Sequence, residues 1–198
     1  MTDRSIRQEL DSFITNIETA GAGYDSWGRV TVQHIAVRDG QCTYSASSLK
    51  GNIIAALDLT SDDDKLASAI FATRKNINCV LITRQEYGST LTEEVPPILD
   101  DQAQLLGVSI KVAKADTTSA VLKSLNSRYA AVLSDGRCIC IGGTVDDAYI
   151  AAQLLEKTAK AYIEAKYIGG AKSINRFEAW AMQMYYQFKY AKEAKKNR

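Results

Sequence analysis

The sequence contains few of the residues that bind transition metals. Its 198 residues include one histidine, His34, and four cysteines. A lone histidine cannot supply a ligand set, and no Cys-x-x-Cys spacing occurs, so neither a metal nor another cofactor is predicted. The four cysteines lie in apolar segments typical of strands, which indicates small buried hydrophobes in a reducing compartment. They are Cys42, Cys79, Cys138 and Cys140.

An excess of charge of one sign is also absent, since 24 Lys and Arg face 23 Asp and Glu, for a net charge of +1. This balance argues against nucleic acid as the main partner. No stretch approaches the roughly eighteen unbroken apolar residues of a membrane span. Residues 1–5 lead into a charged amphipathic helix rather than an apolar signal core. We therefore expect a cytoplasmic protein that binds neither a membrane nor nucleic acid.

Hydrophobic spacing predicts helices and strands in alternation along the chain. Amphipathic helices are expected near residues 3–20, 61–75, 96–106, 118–125, 144–168 and 175–198, and strands near 28–37, 42–45, 79–82, 109–113, 129–133 and 137–141. Turn residues between paired strands, above all Asp135-Gly136, indicate β-hairpins. The pattern predicts one α/β domain over residues 1–198, a three-layer αβα arrangement whose mixed, mostly antiparallel sheet carries helices on both faces.

Several segments match a known family in order and spacing. Residues 67–91 read as a helix, the turn Arg74-Lys75-Asn76 and a buried strand, and residues 95–107 and 130–170 add further matches. These segments resemble the class II aldolase and adducin family. The resemblance implies a fourfold tetramer, a divalent metal held by three histidines, a carboxylate that moves protons, and a phosphate site of Gly, Asn, Ser and Thr residues.

The chain departs from this family at the metal positions, which makes it a divergent member. The resemblance places the three ligand histidines at Ile82, Arg84 and Asp135, and the catalytic carboxylate at Asp63. An isoleucine cannot donate to a metal and an arginine repels one, so no zinc site is expected. Arg84 is open to two interpretations: it holds a charged ligand, or it fills the site as an ion pair with Asp135.

The phosphate-site pattern is better kept, because hydroxyl groups and an arginine beside a helix N-terminus could hold an anion. The resemblance places these ligand-binding residues at Gly28, Arg29, Ser47, Ser48 and Ser61. The neighbouring Asp62 opposes anion binding by repulsion.

Two functions remain open on these residues. The first is a non-catalytic subunit, scaffold or sensor of a sugar-phosphate-like ligand. The alternative is a metal-independent lyase or isomerase acting on a phosphorylated or carboxylated sugar-like substrate, with Arg84 as electrophile and Asp63 or Asp135 as base. The expected partners are a small anion and further subunits, as a homotetramer or a mixed oligomer with a paralogue. An aromatic stripe on the last helix needs a covering surface; its members are Phe177, Trp180, Met184 and Phe188.

Overall fold

The computed structural model describes residues 24–25, 27–40, 42–47, 53–54, 57 and 59–196. The strands are β1 (Tyr24–Asp25), β2 (Gly28–Asp39), β3 (Cys42–Ser47), β4 (Ile53–Ile54), β5 (Cys79–Gln85), β6 (Lys111–Val112), β7 (Ala130–Val132) and β8 (Cys138–Gly142). The helices are α1 (Asp62–Thr73), α2 (Thr118–Ser124), α3 (Val145–Tyr167) and α4 (Arg176–Lys196), with a 3₁₀ turn at Gly88–Thr90 and a π-helical turn at Gln102–Leu106. The helix predicted over residues 3–20 lies outside the described residues.

The strands form one mixed sheet in the order β4-β3-β2-β5-β8-β7-β6, with the short β1 paired to β2. Neighbouring strands run antiparallel, except that β6 and β7 are parallel. Both hairpins expected from the turn residues are present, β2–β3 and β7–β8. The predicted fold class is therefore confirmed.

Helices cover the two faces of this sheet, and each face has its own apolar cluster. On one face, α3 packs on strand residues that include Val30, Ile35 and Leu81. On the other, α1 and α2 pack on residues that include Val80 and Ile82. Three cysteines are buried free thiols in the first cluster, as predicted: Cys79, Cys138 and Cys140. The side chain of Cys42 lies outside the description.

A β-bulge in β2 changes which side chains face α1. Val32 pairs with Thr83 and His34 pairs with Ile82, so Gln33 is an extra residue in β2 relative to β5. A bulge shifts the alternation of the strand by one position. As a result Val30 and Val32 face α3, whereas His34 turns toward α1 and lies beside Ile82.

The helix predicted near 96–106 is much shorter than expected. Gln102 is fully buried, and its side chain accepts from Ile98 N at 2.9 Å and donates to Pro96 O at 3.1 Å. The carbonyl of Pro96 thus accepts from a side chain, whereas in a continuous helix it would accept from the backbone N–H four residues later. The helical segment begins at Asp100, is π-helical over Gln102–Leu106 and ends at Gly107, whose φ is +107°. The strand predicted over 109–113 likewise reduces to β6 and an isolated bridge between Val95 and Ile110.

The last helix, α4, turns its small and polar residues inward and its aromatic residues outward. Ala179 is fully buried, and Gln183 donates to the carbonyl of Ser127 at 3.0 Å. Four large side chains on the outer surface are exposed by about half or more: Phe177 at 74%, Trp180 at 49%, Tyr185 at 73% and Phe188 at 63%. Among the described residues, no helix has the length and apolar character needed to span a membrane.

Candidate functional site

Two of the residues singled out from the sequence meet at one end of the sheet, around an arginine that was not singled out. Arg137 Nη1 lies 2.8 Å from both carboxylate oxygens of Asp63, and Arg137 Nε lies 2.6 Å from Asp135 Oδ2. The backbone N–H of Arg137 also donates to Asp135 Oδ1 at 2.8 Å. We call Asp63, Asp135 and Arg137 the carboxylate–arginine cluster.

Local structure explains why these side chains converge. Asp63 lies in the first turn of α1, where the helix dipole favours negative charge. Asp135 lies in the loop of the β7–β8 hairpin, which covers residues 133–137 rather than the expected 134–136 because β7 ends at Val132 and β8 begins at Cys138. Gly136 N donates to Leu133 O, and Gly136 has a φ of +81°, a left-handed value that favours glycine. This turn places Asp135 and Arg137 side by side, facing α1.

The charges of the cluster stabilise one another. Burial alone would raise the pKa of Asp135, but the hydrogen bonds from Arg137 and the charges of Arg137 and Arg84 outweigh it and lower that pKa. Burial would lower the pKa of Arg137, whereas its two carboxylate partners raise it. Asp135 is therefore held as a carboxylate and Arg137 as a guanidinium.

Arg84 lies near this cluster but does not form the ion pair that the sequence left open. The ion pair that the structure describes for Asp135 is with Arg137. The interpretation that Arg84 fills the site as the ion-pair partner of Asp135 is therefore wrong. Arg84 lines a cleft of about 420 Å³, whose lining is Arg29, Thr31, Arg84, Gln85 and Glu86. Thr31 pairs with Arg84 across β2 and β5, and Arg29 N donates to Glu86 Oε2 at 3.2 Å. We call this the two-arginine cleft.

A buried polar group joins β2, β3 and α1 next to the cluster. His34 Nε2 is 3.0 Å from Asp64 Oδ1, both side chains are 1% exposed, and Ser45 Oγ donates to Asp64 Oδ2 at 3.2 Å. Burial lowers the pKa of His34, and this effect outweighs the negative charge of Asp64, which would raise that pKa. Asp63 and Asp64 thus point to different partners, Asp63 to Arg137 and Asp64 inward to the sheet.

The remaining expected ligand residues do not join one cluster among the described residues. Ser47 pairs with His34 across β2 and β3, and His34 lies six positions after Gly28 in β2, which is about 20 Å of extended chain. Ser61 is the N-cap residue of α1, and its side chain makes no capping hydrogen bond. The side chain of Ser47 and all of Ser48 lie outside the described residues, so the anion role of this set stays a prediction.

A known protein family matches most of this chain. The family model described as the class II aldolase and adducin N-terminal domain matches residues 26–163. This chain belongs to the class II aldolase and adducin family. A comparison with curated proteins finds no match.

Solved structures support the family fold. An L-fuculose 1-phosphate aldolase superposes with a TM-score of 0.75 at 18% identity, over 94% of this chain and 98% of that one. YgbL of Escherichia coli, described as a putative aldolase/epimerase/decarboxylase, gives 0.67 at 13%, over 91% and 99%. The L-fuculose 1-phosphate aldolase of Glaciozyma antarctica PI12 gives 0.62 at 18%, over 86% and 77%. At these identities the likeness shows the fold alone.

The residues at the expected metal positions of this family member do not fit a metal. Ile82 is fully buried in the apolar cluster under α1 and has no donor atom. Arg84 carries a positive charge, and Asp135 already accepts two hydrogen bonds from Arg137. No group of three or more His, Cys, Asp or Glu side chains suitable for a metal occurs within the described part of the chain.

Sequence reasoning also missed a buried carboxylate on α3. Glu156, 1% exposed, accepts from Tyr87 N at 2.9 Å and from Gly88 N at 2.7 Å, and so holds the turn that follows β5. Burial raises its pKa, although the amide hydrogen bonds oppose this. Gly28 approaches the same carboxylate so closely that a Cβ there would lie 2.3 Å from Glu156 Oε1. Packing against Glu156 therefore explains why residue 28 is a glycine. In the sequence, Glu156 is one polar residue among the apolar positions of a long helix, and no local pattern distinguishes it.

Proposed function

We propose that this class II aldolase family member binds a small phosphorylated or carboxylated sugar-like molecule and does not catalyse metal-dependent aldol chemistry. The donor set at the three metal positions carries the proposal, because isoleucine, arginine and an ion-paired aspartate cannot hold a Lewis-acid metal. A non-catalytic subunit, scaffold or sensor is the role that this chemistry favours.

The two-arginine cleft supports the choice of an anionic ligand. Arg29 and Arg84 bring two guanidinium groups to one cleft, and Glu86 is the one carboxylate among the described residues of its lining. Guanidinium groups match the planar geometry of carboxylates and phosphates and can bind them through paired hydrogen bonds. Thr31 offers a hydroxyl group in the same cleft, suited to a sugar-like body.

The carboxylate–arginine cluster makes the enzymatic alternative the weaker one. In a metal-independent lyase or isomerase, Asp63 or Asp135 would accept a proton from the substrate. Arg137 contacts both oxygens of Asp63 and holds Asp135 through its backbone and side chain. Either carboxylate would have to break these contacts before it could act as a base.

Ligand binding can be tested by titration calorimetry and thermal denaturation with pentose and hexose phosphates, sugar carboxylates, the parent sugars and inorganic phosphate. We expect a phosphate or carboxylate ligand to bind and the parent sugar to bind far more weakly. Arg84→Met should weaken binding about tenfold or more, since hydrogen bonds to charged groups contribute roughly 1.5–3 kcal/mol.

The matched control is Arg176→Met, which removes an exposed arginine of α4 outside the cleft and should leave affinity unchanged. No binding by any of the anions, or equal binding by wild type and Arg84→Met, would reject the proposal.

We further propose that the protein forms a homo-oligomer in the cytoplasm, a tetramer as the family resemblance implies, with a mixed oligomer with a paralogue as the alternative. The exposed stripe on α4 supports this, since aromatic groups in such a row are typical of interfaces. Light scattering during gel filtration should give a mass above 21.7 kDa. Phe188→Glu, within the stripe, should lower the mass, and a wild-type protein that runs as a monomer would contradict the proposal.

A further inference from the structure

We infer that Arg137 is a built-in counter-ion that closes this site to divalent cations. This role of Arg137 is separate from the proposed ligand binding. The two-arginine cleft could bind an anion whether or not Arg137 excludes cations from the cluster. The residues of the site do not fit the metal that the family resemblance implies, and Arg137 is one physical reason for this.

A single residue occupies all the carboxylate oxygens of the cluster. Asp63 and Asp135 have four such oxygens between them, and each accepts from Arg137. The backbone N–H and Nε take the two oxygens of Asp135 at 2.8 and 2.6 Å, and Nη1 lies 2.8 Å from both oxygens of Asp63. Arg137 thereby connects two elements 74 residues apart in sequence.

The charge of Arg137 also opposes a bound cation. Carboxylate oxygens are the ligands that hard divalent cations such as Mg²⁺ and Mn²⁺ prefer. A guanidinium is not deprotonated in proteins, so it cannot become neutral to admit a second cation. The side chain of Arg137 is 24% exposed, and those of Asp63 and Asp135 are 25% and 35% exposed, so the contacts are only partly screened by solvent.

Within the described part of the chain, no third His, Cys, Asp or Glu side chain joins Asp63 and Asp135 in a group that could hold a metal. Ile82 offers no donor, and the charge of Arg84 already lowers the pKa of Asp135. Two carboxylates and two guanidiniums balance one another in charge. A divalent cation would have to displace Arg137 and then lie near Arg84.

The test is to remove Arg137 and supply the metal alone. Thermal denaturation at neutral pH compares wild type with Arg137→Met and Arg137→Gln. The metal, MnCl₂ or MgCl₂, is added at about ten times an assumed Kd of roughly 1 mM, and KCl at the same ionic strength is the salt control. We expect the Tm of wild type to be unaffected by metal. A freed carboxylate pair with a Kd near 1 mM should raise the Tm of Arg137→Met in MnCl₂ by about 3 °C or more.

Three controls assign the response to this site. Arg137→Met combined with Asp63→Asn should lose the metal response, because one of the two carboxylates is gone. Arg137→Lys keeps the positive charge and should remain insensitive to metal, although a lysine cannot reproduce the planar fork of the arginine. Arg84→Met should leave the metal insensitivity of wild type unchanged, which separates this result from the ligand-binding test.

Three results would overturn the inference. One is stoichiometric Mn²⁺ binding by wild type in titration calorimetry, a measurement that does not depend on any variant folding. Another is an Arg137→Met or Arg137→Gln protein that is folded by circular dichroism but no more sensitive to metal than wild type. The third is a metal response that survives Asp63→Asn, which would place the cation elsewhere.

Discussion

Replacing Gly28 with alanine should destabilise the protein far more than the same change at another glycine of the same hairpin. Gly28 has a φ of +147°, and a Cβ there would lie 2.3 Å from Oε1 and 3.0 Å from Cδ of Glu156. Gly40 also has a positive φ, +57°, but apart from its chain neighbours no heavy atom of the described residues lies within 4 Å of the position that a Cβ would take there. Gly40→Ala therefore measures the cost of a positive φ without the side-chain contact that Gly28→Ala also makes.

The two costs can be estimated separately. An alanine held in a sparsely populated backbone region costs about 1–3 kcal/mol. At Gly28 the methyl group must also push the Glu156 carboxylate away from Tyr87 N and Gly88 N, and hydrogen bonds to a charged group contribute roughly 1.5–3 kcal/mol. We expect a loss of about 3–5 kcal/mol for Gly28→Ala and about 1–2 kcal/mol for Gly40→Ala.

Urea denaturation of both variants, followed by circular dichroism, gives these free energies directly. A double-mutant cycle with Glu156→Ala then tests the cause. Once the carboxylate is gone, Gly28→Ala should cost only the backbone strain, so the two changes should be less than additive by about 1.5 kcal/mol or more. Equal losses for Gly28→Ala and Gly40→Ala, or strict additivity with Glu156→Ala, would refute the packing account of Gly28.

Two further predictions concern pH and helix capping. Because burial lowers the pKa of His34, the unfolded chain takes up the proton first, so the free energy of unfolding should fall as the pH drops through the ordinary histidine range, from about 7.5 to about 5.5. His34→Gln should flatten that dependence, and an unchanged slope would show that another group causes it. Thr144 and Asp147 form a capping box at the start of α3, and Thr144→Ala should lower the free energy of unfolding by about 1 kcal/mol in urea denaturation. A loss below roughly 0.3 kcal/mol, which is near the measurement error, would contradict this role.

The order of the elements and the missing metal donors could be predicted from the sequence because both depend on local information. Alternating apolar residues and turn residues place β2, β3, β7, β8 and α3, and each prediction needs only a short window of sequence. At two of the positions where the resemblance places metal ligands, Ile82 and Arg84 offer no donor atom for zinc, and donor atoms are a property of the residue type. Prediction was poorest near Pro96, whose carbonyl accepts from the side chain of Gln102 instead of from a helical N–H.

The sequence by itself thus determined the layers of the fold and the absence of histidine ligands, whereas the tertiary structure decided which charges meet. Arg137 reaches Asp63 across 74 residues of sequence, and Glu156 reaches Gly88 across 68. The bulge at Gln33 turns His34 to the α1 face beside Ile82. These contacts depend on strand register and on the placement of α1 and α3, which follow from the packing of the whole core and from no local pattern.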